Sequence, residues 1–271
     1  MHCQSEVATL VGAKTAMGRK DGGTQKTSTM RTDFDLQFLE HCKNEDLKTL
    51  CDILTRDKNG KIIYSEQLTN TDSYYKCYPH KMSNMWQDLA LELQKHGGNT
   101  FMNVIRKGRG PSYEQIVSDV CHRLHVKNIC KHDTAEEMEE KLLLYITEKM
   151  INELSEEDID SIITNLHIKN CNLTKQSLIA LTIYSMRFNQ QLFVRIMDYL
   201  LCLITKMLVG RGILVFFWGS FSRASSLLLG PIGWTLLTTW TLWDIAGPAY
   251  RVTAPAVIQV AYMRFKYNQN H

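Results

Sequence analysis

The sequence predicts an all-α protein, a multi-helix bundle with a C-terminal apolar helical hairpin, and three observations predict it. Apolar residues recur at helical spacing from position 32 onward. Polar capping signals stand before the recurring runs, and no segment alternates apolar and polar residues as a half-buried strand does. By composition the chain divides into a Gly-, Thr- and Lys-rich leader over 1–31, read as disordered, and a short helical module over 32–66. A helical body over 67–198 and a basic apolar region over 199–271 follow. With 44% of 271 residues apolar and 22% charged, the chain can enclose a sizeable core without a metal or disulfide.

The elements follow in order. Thr32 and Asp35 resemble a capping box opening a short helix with Leu36, Phe38 and Leu39 on its apolar side. Asn44 is expected to cap the next helix, with Glu45 and Asp46 in its first turn and Leu47, Leu50, Cys51 and Leu54 facing inward. That helix runs into the turn Asp57-Lys58-Asn59-Gly60, and Lys61 to Tyr64 reads as a brief extended piece. Ser83 is a candidate cap for a helix through Trp86, Leu89 and Leu93, which Gly97-Gly98 would stop in a left-handed turn. Pro111-Ser112 with Gln115 opens a helix whose Tyr113, Ile116, Val117, Val120, Cys121 and Leu124 form a one-sided stripe. Thr134 with Glu137 and Ser155 with Asp158 open two acidic helices, and Thr174 opens a long one through Tyr199 and beyond.

The last region differs from all of these. Residues 199–271 carry six Lys/Arg (Lys206, Arg211, Arg223, Arg251, Arg264, Lys266) against one acid, Asp244. Ala224 to Trp243 is a 20-residue stretch with no charge, and about 20 helical residues match the hydrocarbon thickness of a bilayer. Gly230-Pro231 would break a single transmembrane helix within that stretch, so a hairpin or re-entrant pair is the better expectation. Trp218, Trp234, Trp240 and Trp243 are four of the chain's five tryptophans and suit an interfacial aromatic belt. Arg211, Arg223 and Arg251 are the cations expected at the membrane surface; Asp244 would pair with Arg251, or with Arg223 or Arg211, if buried there, and a solvated helix end is the competing reading. The competing reading is a hydrophobic hairpin buried inside the amphipathic helices. Nucleic acid is not an expected partner, because a phosphate-seeking basic segment would be more polar.

The eight cysteines are scattered without a CxxC, which reads as free thiols in a reducing compartment. No secretory signal is legible, since the early apolar run Val7 to Ala13 is short and interrupted. Cys121, His122, His125, Cys130 and His132 are the residues with metal-ligand chemistry, but their spacing matches no compact zinc module, and Cys121 belongs to the apolar stripe. Arg106-Lys107-Gly108-Arg109-Gly110 is a basic glycine loop without the terminal GK[ST] of a nucleotide loop, and Gly210-Arg211-Gly212 starts a GxGxxG that Val215 ends. Eleven acids between Asp133 and Asp160 read as a solvated helix face. No catalytic motif is present, and no catalytic, cofactor-binding or metal residue is assigned.

Three segments together carry a family resemblance. They are Asp33 to Cys42 with Leu54 to Lys61, Glu92 to Gly98 with Tyr113 to Asp119, and Ala249 to Ala261. In these the chain resembles the YaaW-like family of bacterial proteins, which is grouped with the ubiquinol-cytochrome c chaperone superfamily. The resemblance spans most of 32–266 and implies an all-α chain with an apolar, glycine-containing C-terminal region. It implies no catalytic residues. The leader stands outside the pattern, and the tail here is heavier in aromatics than the family's glycine-rich version. The expectation is a cytoplasmic, membrane-associated protein whose hairpin binds or inserts into anionic lipid and perturbs the bilayer. The alternative is a soluble assembly factor that binds a hydrophobic protein client.

Overall fold

Local capping chemistry decides where most of the helices begin. In the computed structural model, which describes residues 33–56, 61–62, 68–100, 111–166, 173–209 and 250–269, Ser112 opens α4 (Tyr113–Arg123) with a complete capping box. Its hydroxyl accepts the Gln115 N–H at 3.4 Å while Gln115 Oε1 accepts the Ser112 N–H at 3.4 Å. Thr134 and Glu137 do the same for α5 (Ala135–Glu153), and Ser155 and Asp158 for α6 (Glu156–Asn165). Thr174 accepts the Ser177 N–H at 3.2 Å to start α7 (Lys175–Phe188). Each cap satisfies an N–H that has no partner within the helix and contributes about 1 kcal/mol.

Elsewhere tertiary contacts override the local signal. Asn44 is the first residue of α1 (Asn44–Thr55), not its cap. Its amide donates to Pro79 O at 2.9 Å and accepts the Met82 N–H at 2.9 Å, so it ties α1 to the turn after α2 (Asp72–Cys77). Asp33, not Thr32, caps the N-terminal 3-10 helix Phe34–His41, and its carboxylate also accepts the Tyr113 N–H at 2.6 Å. Ser83 sits inside a 3-10 turn, Met82–Met85, that leads into α3 (Trp86–Thr100). Of the extended piece expected over Lys61 to Tyr64, the described part forms an isolated antiparallel bridge between Arg56 and Ile62. The long helix expected from Thr174 breaks at Asn189, whose φ of −146° and ψ of 70° are not helical. Asn189 then accepts the Leu192 and Phe193 N–H groups to start α8 (Gln190–Val209).

Gly97-Gly98 does not stop α3, which continues to Thr100. The glycine serves close packing: a Cβ on Gly97 would lie 2.6 Å from Ile116 Cγ1 and 2.7 Å from Ile116 Cδ1. Ile116 is itself buried, so it has little room to retreat. Gly97→Ala is therefore expected to lower stability despite the roughly 1 kcal/mol that Ala gains in helix propensity, because overpacking costs about 1–3 kcal/mol. A denaturant midpoint equal to or above wild type would refute this account of Gly97.

The described residues build an all-α bundle around α9 (Tyr250–Asn268). This helix packs against α1, α3, α4, α5, α8 and the N-terminal 3-10 helix, and Thr253 to Met263 are buried without interruption. A helix apolar on all sides is stable only when enclosed on all sides. Ala254, Ala256 and Ala261 let neighbouring backbones come close. Phe193 of α8 meets Phe265 of α9 with ring centroids 4.5 Å apart, and Tyr262 of α9 donates its hydroxyl to Asp198 of α8. Residue numbers rise along α8 as they fall along α9, so the two helices are antiparallel. The chain thus leaves the described bundle at Val209 and re-enters at Tyr250 from the same end.

Candidate functional site

The charges of α9 decide how this helix is held. Arg264 donates to the Glu139 carboxylate and to the Asp35 carbonyl, and its guanidinium stands 4.3 Å from the centroid of the Phe38 ring. Tyr113 donates its hydroxyl to the other oxygen of Glu139. Gln94 completes the arrangement by donating to Asp33 at 3.2 Å and Pro111 O at 3.4 Å. On the opposite side, Lys266 donates to both oxygens of Asp46 at 2.9 and 2.7 Å, and Gln259 donates to the Asp46 carbonyl at 3.3 Å. Arg264 and Lys266, two of the six cations of the basic C-terminal region, are thus tied to carboxylates of α5 and α1.

Burial sets the electrostatics of these groups. Glu139 is 2% exposed, and burial pushes its carboxyl up to about 7 against the opposing pull of Arg264 and the two donated hydrogen bonds. Burial also raises Asp198, opposed by the hydrogen bond from Tyr262 and by Lys266. A carboxyl titrating near neutrality suits proton transfer in an accessible cleft. Both oxygens of Glu139 are already engaged, and the group is enclosed, so its geometry is that of a structural tie between four elements. A second such tie centres on buried Asp52, which accepts from Lys48 at 2.6 Å, Arg56 at 2.8 Å and the Tyr78 hydroxyl at 2.9 Å. Sequence reasoning passed over Asp52, although the i, i+4 spacing from Lys48 and to Arg56 was the available signal.

The metal-ligand residues do not converge. Cys121 is buried on α4 and donates to Met138 O at 3.7 Å, and burial pushes its thiol up to about 12. His122, His125, Cys130 and His132 are exposed. Among the described residues, no group of three or more His, Cys, Asp or Glu is placed to hold a metal ion. Trp218, Trp234, Trp240, Trp243, Arg211, Arg223 and Asp244 lie outside the described residues, as does the loop Arg106 to Gly110. Arg251 falls in the first turn of α9, but its side chain is outside the description, so the expected Asp244–Arg251 pair is too. Among the described residues no helix is long and apolar enough to cross a membrane, and the hairpin or re-entrant pair expected around Ala224 to Trp243 lies outside them.

Two features define the end of the bundle where residues 210–249 join it. The first is the antiparallel α8–α9 pair. The second is α4, whose Tyr113 lies by Arg264 near one end of α9 while the Arg123 guanidinium lies 5.7 Å from the Tyr250 ring at the other. The C-terminal end of α4 therefore points toward the place where the chain re-enters. Opposite in character is the outer face of α7, where Ile183, Tyr184 and Phe188 are exposed, Phe188 by 71%. The rings of Tyr184 and Phe188 lie tilted against each other, with centroids 4.8 Å apart.

The comparisons with known proteins agree with the resemblance in the three quoted segments. A family model described as a domain of unknown function, DUF3944, matches residues 30–62. The chain is 35% identical over 238 residues to a UPF0174 protein of Helicobacter pylori strain J99, covering 88% of this chain and 93% of that one. It is also 30% identical over 241 residues to the UPF0174 protein YaaW of Escherichia coli strain K12, covering 86% and 94%. No solved structure matches. Similarity of that depth, running over nearly the whole of both chains and including the helices that enclose α9, means that the chain belongs to the UPF0174 family.

Proposed function

We propose that this protein is a cytoplasmic, membrane-associated bundle whose segment 210–249 binds or inserts into anionic lipid. The observation that carries the reading is the antiparallel α8–α9 brace, which tethers both ends of that segment at one end of the bundle. A segment fixed in this way is geometrically suited to enter and leave a bilayer from one side. Its composition supports the rest: Ala224 to Trp243 carries no charge, and Trp218, Trp234, Trp240 and Trp243 supply rings that favour the headgroup region. Arg211, Arg223 and Arg251 would sit at the anionic surface, each contributing about 1 kcal/mol. Perturbation of the bilayer is a further step of the same reading, tested by dye release from the vesicles.

The test is co-sedimentation of the full chain with vesicles of phosphatidylcholine and phosphatidylglycerol. Because α9 belongs to the core, removing everything after residue 198 would damage the bundle, so the comparison uses the full chain with Trp218, Trp234, Trp240 and Trp243 replaced by Ser. Wild type is expected in the pellet, with the variant's partitioning reduced about tenfold or more. Wild type left in the supernatant would end the lipid reading.

A second reading, an assembly factor that holds a hydrophobic protein client, is favoured by the exposed Ile183, Tyr184 and Phe188 on α7. Were it correct, Tyr184→Ser with Phe188→Ser would abolish client capture and leave vesicle binding as in wild type.

A further inference from the structure

We infer that the last turn of α4 and the loop after it, from His122 to His132, form a headgroup-binding collar that holds the phosphates of anionic lipid beside the root of the apolar segment. The inference rests on the lipid-contact reading and assigns it a surface within the described bundle. Arg123, Lys127 and Lys131 are all exposed, together with the imidazoles of His122, His125 and His132. No acid lies between Asp119 and Asp133, and Asp133 is already taken up by Lys141 and by the Cys130 N–H at 2.7 Å. A surface with three exposed cations and no acid between them raises the local concentration of anions.

The loop has a defined shape. His125 turns α4 with a left-handed φ of 58°, the Val126 N–H donates back to Cys121 O at 2.9 Å, and the His125 N–H donates to His122 O at 3.1 Å. This is the hydrogen-bond pattern of a Schellman stop. Asn128 turns again at φ 61°, and Lys141 reaches from α5 to donate to Asn128 O at 2.9 Å. Lys127 and Lys131 are therefore presented on an ordered loop. Complementing the α4 dipole accounts for cations in its last turn, such as Arg123, but not for Lys127 and Lys131, which lie beyond it.

Position gives the loop its partner. The Arg123–Tyr250 contact sets the C-terminal end of α4 at the start of α9, where the chain returns from the apolar segment. Cations beside the root of a lipid-directed segment face the headgroup layer when that segment meets lipid. Phosphate groups there would be gripped by the lysines as point charges.

The experiment uses the full chain and two double substitutions at exposed positions. Lys127→Gln with Lys131→Gln tests the collar, and Arg187→Gln with Arg195→Gln removes the same formal charge from the exposed faces of α7 and α8. Partitioning is measured onto phosphatidylcholine vesicles with and without phosphatidylglycerol. The collar variant is expected to lose about fivefold per lysine on anionic vesicles, roughly 25-fold in all, and nothing on neutral ones. The Arg187/Arg195 variant is expected to partition as wild type does. Equal losses in the two variants overturn the collar, since the effect would be one of net charge. Unchanged binding of the collar variant beside firm binding of wild type overturns the collar while leaving the lipid reading intact. Failure of wild type to bind either vesicle overturns both.

Discussion

Arg264→Met is expected to cost about 3–5 kcal/mol, because it leaves the enclosed carboxylate of Glu139 without its cation. The loss reaches further than one ion pair. Arg264 also donates to the Asp35 carbonyl and covers Phe38, so its removal loosens the N-terminal 3-10 helix from α9 at the same point. Glu139→Gln added to Arg264→Met should restore much of the stability, since the damage lies chiefly in a buried unpaired charge. The deficit should also depend on pH in a fixed direction. The Glu139 carboxyl moves from its ordinary 4.5 to about 7 in the folded chain, so the folded state holds this proton more tightly than the unfolded state does. That contribution to stability is complete below about 4.5 and disappears as pH rises through about 7. In Arg264→Met the carboxyl loses the cation that favoured its ionised form and protonates more readily still. Urea midpoints at pH 5.5 and pH 8 should therefore show a smaller deficit at the lower pH. A deficit of the same size at both values would mean that Glu139 is not the source of the cost.

The parts of this fold that were legible in the sequence are those whose chemistry is local. Ser112 with Gln115, Thr134 with Glu137 and Ser155 with Asp158 announce helix starts because both partners lie within four residues. The stripe on α4 was legible for the same reason: Tyr113, Ile116, Val117, Val120, Cys121 and Leu124 are all buried as their spacing requires. What could not be read were choices between partners distant in sequence. Arg264 and Lys266 look identical on paper whether they face phosphates or carboxylates, and only the fold brings Glu139 and Asp46 to them. Asn44 and Gly97 carry strong local signals, for a cap and a stop, that yield to a turn near Pro79 and to the side chain of Ile116. The same holds for the histidines after α4. Their residue types suggested metal, whereas the apolar stripe of α4 carries Cys121 inward and leaves His122, His125 and His132 exposed.

Phe193→Ala is expected to cost about 3–5 kcal/mol, the range for removing a fully enclosed aromatic ring. Phe193 is completely buried, and its ring packs at 4.5 Å against Phe265, so the substitution opens a cavity between α8 and α9. The surroundings cannot easily collapse into it, because Tyr262 is fixed by Asp198 and by Val194 O at 3.3 Å. Phe193→Leu, which keeps most of the volume, should cost less than half as much. The consequence for lipid contact separates stability from geometry. The α8–α9 brace holds both ends of residues 210–249, so loosening it should weaken vesicle partitioning even at temperatures where circular dichroism still reports a helical bundle. A Phe193→Ala protein that loses stability as expected but partitions like wild type would show that the apolar segment acts independently of the brace. Retention of wild-type stability would instead mean that the Phe193–Phe265 contact does not hold the two helices together.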